Sequence, residues 1–192
     1  MSSVFVKGAV GNLGTKVLVE NRYDELVHYY NDGFLKKVMD DIESGLDPLL
    51  FMKKKFALLD DKSIFDSIDI SKGGFRAALW KICEKNKCGI RYSIFKVPIL
   101  QGTIEIANYF DINPYRLLTK DSKIFFVDDR DFNVTDDKDI YEGLSYIGDT
   151  TDDNKRVRID NDIESFLTKD FKDEIDKVIE GYIKNYETYS NS

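Results

Sequence analysis

Two glycine-bearing junctions hold the residues of this chain best suited to chemistry. Asp69-Ile70-Ser71-Lys72-Gly73-Gly74 lies between an alternating apolar run and a run with helical spacing. Glycines let a backbone approach a ligand closely, and the free N–H groups and dipole of a following helix favour an anion. Lys72 would add a positive charge, so Asp69, Ser71, Lys72, Gly73 and Gly74 form a candidate phosphate or anion site. The same residues also suit a structural role, with Asp69 or Ser71 capping the helix and the glycines making a tight turn. The second junction, Gly11-Asn12-Leu13-Gly14-Thr15, offers Gly11, Gly14 and Thr15 as a secondary glycine loop. It has neither the Gly-Lys-Ser/Thr of a P-loop nor the G-x-G-x-x-G of a dinucleotide site. Close packing of a helix on a sheet would equally account for its glycines.

Other reactive residues are sparse. His28 is the single histidine, which excludes a mechanism needing two imidazoles, and its place in a helix beside Tyr29 and Tyr30 reads as surface or half-buried. Cys83 falls on an apolar helix face and Cys88 at the helix end, expected on a different face. A thiol without a histidine partner makes no cysteine hydrolase, and the two-cysteine spacing matches no zinc pattern. Lys53-Lys54-Lys55 reads as a solvated helix face. Asp128-Asp129-Arg130-Asp131 and Asp136-Asp137 read as a hydrated acidic loop, since they lack the spacing and central glycine of a calcium loop. No catalytic residue and no metal ligand is assigned.

The elements that must position these junctions follow from periodicity. Val4 to Val10 reads as an opening strand, after which the apolar positions Val17, Leu18, Leu26 and Val27 turn to helical spacing. Asn31-Asp32 caps a second helix, and Asp47-Pro48 starts a third that ends near Leu59. Ile64 to Ile70 alternates as a strand, Phe75 to Cys83 is helical, and Ile90 to Phe95 alternates again. Ile104 to Phe110 reads as helix, Asn113-Pro114 begins a short one through Leu118, and Lys123 to Val127 is a buried strand. Two short strands near 145–147 and 156–159 precede an amphipathic helix over 162–186. Strands mixed with helices of this length predict an α/β or α+β layered domain, of which α+β is the class taken here.

Composition narrows the partners. The 192 residues carry 28 Lys+Arg against 35 Asp+Glu, a net charge of −7. A pI near 4.9 argues against a generic nucleic-acid binder or a basic membrane-surface protein. No apolar run approaches the ~18 residues of a membrane span, and a cytoplasmic protein is expected. The charge is uneven, +3 over residues 1–127 and −10 over 128–192, which suggests an acidic edge and tail on one domain.

Taken in order, these motifs resemble the C-terminal domain of the aminoimidazole ribonucleotide synthetase superfamily, most closely its hydrogenase maturation branch. The residues that carry the likeness are Gly11-Asn12-Leu13-Gly14-Thr15, Ile68-Asp69-Ile70-Ser71-Lys72-Gly73-Gly74-Phe75 with Ala78 to Cys83 behind it, Gly89-Ile90, Lys96-Val97-Pro98-Ile99, Phe110-Asp111-Ile112-Asn113-Pro114, Ile124 to Val127 and Tyr146-Ile147-Gly148-Asp149-Thr150. The resemblance covers most of residues 4–160 and leaves 161–192 as a C-terminal helix and tail.

The resemblance implies a three-layer α/β/α domain on a mixed sheet, partly ferredoxin-like, with Ser71 to Gly74 facing the cleft that full-length members form between two domains. Those enzymes hold ATP and magnesium largely on an N-terminal domain, which the resemblance implies is absent here. The Ser-Lys-Gly-Gly loop departs from the Thr and richer glycine of many members, and a short Asp-rich segment replaces the helix after Ile124 to Val127. The expected function is a stand-alone, non-catalytic binding or accessory protein with a vestigial anion site, its partner another protein, a second copy or a small anionic ligand. The competing expectation is an ATP-dependent enzyme completed by a partner chain or homodimer, with ATP and Mg supplied through that partner. A β-branched residue at Gly73 is expected to abolish anion binding while moving the melting point only a few degrees.

Overall fold

A computed structural model describes residues 2–45, 64–128, 140–141 and 144–190. The expected helix over 47–59, the lysines 53–55 and the acidic run from Asp129 to Asp137 lie outside the described residues.

The strands are β1 (Ser2–Lys7), β2 (Ile64–Ile70), β3 (Gly89–Tyr92), β4 (Ser122–Asp128), β5 (Ile140–Tyr141), β6 (Leu144–Thr151), β7 (Arg156–Asp160) and β8 (Ile163–Phe166). The helices are α1 (Asn12–Asn21), α2 (Tyr23–Tyr29), α3 (Asp32–Glu43), α4 (Gly74–Lys85), α5 (Gln101–Tyr109) and α6 (Tyr182–Ser190). Short 3-10 turns at Ile94–Lys96, Pro114–Arg116 and Glu174–Lys177 join them. The strands form one mixed sheet in the order β2-β4-β1-β6-β3-β7-β8, with β5 beside β6. Neighbours run antiparallel except β3 and β7, which are parallel. The class is α+β, as the sequence predicts.

Alternation sorts the strand residues onto two faces. Val4, Val6, Ile70, Ile124, Phe126, Ile90 and Tyr92 face α4, where Phe75, Leu79, Ile82 and Cys83 complete a core. Phe5, Val127 and Leu144 point to the opposite face. Helices α1, α2, α3 and α5 gather around a second core of Val17, Leu18, Leu26, Leu35, Ile106 and Leu117, which also takes Ile175. The segment after α5 spans both cores: Tyr115 packs on the first and Leu117 lies in the second.

Several boundaries move. The opening strand stops at Lys7, because Gly8 turns away at φ 80°. The first predicted helix is two, broken at Arg22. The strand expected from Ile90 to Phe95 ends at Tyr92 and tightens into a 3-10 turn. The short helix from Asn113-Pro114 is a single 3-10 turn, Pro114–Arg116.

The largest correction concerns the predicted helix over 162–186. Asn161 and Asp162 both adopt positive φ, 47° and 67°, and pair Asp160 with Ile163 in a tight hairpin. That two-residue geometry matches the right-handed strand twist and forces an extended strand, β8, where the Ile163, Phe166, Leu167 spacing had imitated a helix. Helix resumes only at Tyr182.

His28 is exposed on α2, as expected. Cys83 is fully buried in the sheet-facing core. Cys88 is not on a separate face. The turn that ends α4 brings its N–H onto the Cys83 carbonyl at 3.1 Å and its Sγ to 3.9 Å from the same oxygen. Contact with Cys88, reinforced by burial, pushes the Cys83 thiol far above its usual range.

Candidate functional site

The two predicted junctions meet at one place, the segment Tyr115 to Lys120 that leads into β4. Gly11 before α1 and Gly73 before α4 sit in the same left-handed cap conformation, φ 73° and ψ 3°, which only glycine adopts at low cost. What their missing side chains admit is the protein's own backbone. A Cβ at Gly73 would lie 2.6 Å from the Phe171 carbonyl oxygen, and one at Gly74 2.6 Å from that of Tyr115. At Gly11 it would lie 2.9 Å from the Pro114 oxygen, and at Gly14 3.0 Å from Leu117 Cβ.

Thr119 ties the two loops together. Its N–H donates to the Ser71 carbonyl at 3.3 Å. Its hydroxyl accepts from the Gly11 N–H at 2.8 Å and donates to the Leu117 carbonyl at 2.9 Å. The Gly14 N–H donates to the Leu118 carbonyl at 2.7 Å, and the Thr15 hydroxyl donates to the Gly11 carbonyl at 2.8 Å. Gly11, Gly14 and Thr15 are therefore all engaged within the fold.

The start of α4 carries a carboxyl group, and it is the chain's own. The Gly73 N–H donates to Asp173 Oδ2 at 2.8 Å, and Asp173 Oδ1 accepts from the Ile175 N–H at 3.1 Å. Asp173 is 6% exposed. Burial raises its carboxyl above the ordinary aspartate range, against the opposing pull of the Gly73, Ile175 and Leu118 N–H groups. Arg116 clamps the same stretch of chain. Its guanidinium reaches Glu174 at 2.9 Å and Asp170 at 2.7 Å, and Glu174, 1% exposed, also pairs with Lys177.

Of the predicted site residues, Gly73 and Gly74 stand at the α4 start. Asp69 points to solvent and pairs with Lys123 at 3.1 Å. Ser71 is exposed, and its carbonyl accepts from the Gly74 N–H at 3.0 Å. Lys72 is exposed. Asp173, Thr119 and Arg116 are functional neighbours that sequence reasoning passed over. Asp173 did carry a signal, an aspartate two residues before an isoleucine in the pattern of a helix cap, but the continuous helix drawn over 162–186 absorbed it.

At this turn the Gly73 N–H is taken by Asp173, and the Phe171 and Tyr115 carbonyl oxygens lie against the positions that Cβ atoms of Gly73 and Gly74 would occupy. Among the described residues, no three His, Cys, Asp or Glu side chains are grouped to hold a metal ion. Among the described residues, no helix is long and apolar enough to cross a membrane.

No protein-family model matches the chain, and no curated protein matches it in sequence. Solved structures do match in fold. The hydrogenase maturation protein HypE in complex with ATP superposes with a TM-score of 0.62 at 12% identity, over 91% of this chain and 52% of that one. A chain of a HypE–HypF complex gives 0.60 at 14% identity, over 88% and 53%. HypE of E. coli gives 0.59 at 12%, over 91% and 51%. The chain thus has the fold found in HypE, and the likeness carried by its ordered motifs holds at the level of fold. It spans about half the length of the solved proteins it matches.

Proposed function

We propose that this chain is a non-catalytic binding or accessory protein on the HypE fold, with the anion site at the start of α4 closed by its own Asp173. The observation that carries the reading is the Gly73 N–H donated to a buried carboxyl 100 residues away. A helix start whose Gly73 amide is held by a carboxyl and whose Gly74 amide is held by the Ser71 carbonyl, on a segment clamped by Arg116, offers neither glycine amide to a phosphate. The partner is then another protein or a second copy. One similar structure being a HypE–HypF complex is consistent with protein contacts on this fold.

A second reading is favoured by the other comparison. The chain spans about half of a HypE solved with ATP, so an ATP-dependent enzyme completed by a partner chain or homodimer would use this fold as one part, with ATP and Mg held mainly elsewhere.

Titration of the purified chain with ATP and ADP, with and without Mg, separates the two. The expected result is no Mg-dependent nucleotide binding and no phosphate release from ATP. Mg-dependent ATP binding by a dimer isolated by gel filtration would overturn the accessory reading. The Gly73 substitution anticipated from sequence is not a silent control: at φ 73°, with carbonyl oxygen 2.6 Å from the new Cβ, a β-branched residue strains the backbone and the packing together.

A further inference from the structure

The outer end of the sheet, under the first turn of α4, holds a cavity of about 70 Å³. Register builds its floor. Tyr92 on β3 pairs with Arg158 on β7, and Arg158 pairs with Ser165 on β8, so the three side chains form a row across one face of the sheet. Arg76, from the first turn of α4, and Asn113 close the cavity from above, and Phe166 stands at the rim, 70% exposed.

Two features mark this cavity as more than a packing gap. Tyr92 is 2% exposed, and its side chain lines the cavity. Second, two arginines from different elements, Arg76 and Arg158, line it together. Arg76 has no carboxylate partner among the described residues, donating instead to the Thr168 hydroxyl at 3.0 Å. Arg158 spends its Nε on Asp160, and Asp160 in turn accepts from the Ile94 N–H at 3.2 Å. The Arg158 terminal nitrogens remain for another acceptor.

We propose that this cavity is an oxyanion site that takes a phosphate group, held by Arg76 and Arg158 with Tyr92 and Ser165 donating from below. Donors converging from α4, β3, β7 and β8 suit a tetrahedral anion, since a planar carboxylate is satisfied by one guanidinium fork. Burial pushes the Tyr92 hydroxyl up to about 12, so it stays a donor at neutral pH. The phosphate is either free or the end group of a monoester whose remainder passes over Phe166. The site takes Arg76 from the first turn of α4 but not the Gly73 amide that Asp173 holds, and it stands apart from the accessory reading.

The test is calorimetric titration of the full chain with inorganic phosphate and with phenyl phosphate at constant ionic strength. Wild type is expected to bind at least one of them. Arg76→Gln and Arg158→Gln should each weaken binding about tenfold or more, and Tyr92→Phe severalfold. Lys87→Gln, an exposed charge that does not line the cavity, should leave binding unchanged. Phosphate should raise the melting temperature of wild type but not of Arg76→Gln. Tighter binding of phenyl phosphate, lost in Phe166→Ala, assigns the ester; equal binding assigns the free ion. Absence of binding of both probes to wild type, or binding equal in the arginine variants, would overturn the proposal.

Discussion

Asp173 does at residue scale what an external anion was expected to do. Two backbone donors, Gly73 and Ile175, rely on its carboxyl, so Asp173→Ala should cost about 2 kcal/mol in urea denaturation, the scale of leaving buried donors unmet. The pH dependence has a definite sign. The folded state holds the Asp173 proton more tightly than the unfolded chain, because burial raises the group. Its contribution to stability is therefore fullest in acid and falls as pH rises through the ordinary aspartate value toward the folded one. The stability of wild type relative to Asp173→Asn should move in the variant's favour as pH rises above the ordinary aspartate value of about 3.9. A difference that is flat, or that moves toward wild type, would show that the amides outweigh burial.

At the scale of elements, the β7–β8 hairpin turns on Asn161 and Asp162, both at positive φ. Asp162→Gly should stabilise the protein by a few tenths of a kcal/mol and Asp162→Val destabilise it by about 1–2 kcal/mol, read from thermal melts. This turn also shows where the sequence misled. Asn-Asp is a hairpin signal, but Ile163, Phe166 and Leu167 fall at helical spacing, and β8, exposed at all four residues, lacks the alternation that one buried face imposes. Where a strand turns one face toward the core, as Ile64 to Ile70 does with Ile68 and Ile70, the prediction was right to the residue. The two glycine turns were legible for a similar local reason: clustered glycines between runs of different period. Their occupants were not. Asp173 and Thr119 reach the glycines across about a hundred residues, and no local pattern reports a contact of that separation. The row of Tyr92, Arg158 and Ser165 was hidden likewise, since it exists only once three strands have found their register.

Over the whole molecule, the sheet core under α4 and the helical core around α1 share the stretch from Tyr115 to Leu117. Leu117→Ala removes a side chain with no exposed surface and should cost about 3 kcal/mol. Trp80, the single tryptophan, packs on the sheet core, so its fluorescence should report the lowered urea midpoint together with the circular dichroism of the helices. A transition seen by dichroism while Trp80 stays native would mean that the cores unfold separately. The HypE fold covers about nine-tenths of the chain, yet the carboxyl that finishes α4 comes 100 residues after the helix begins. A ribosome adding 5–20 residues per second needs roughly 5–20 s to make that stretch. For that interval the nascent protein presents an uncapped helix start to the cell, and for those seconds alone the amide of Gly73 is open to whatever anion is nearby.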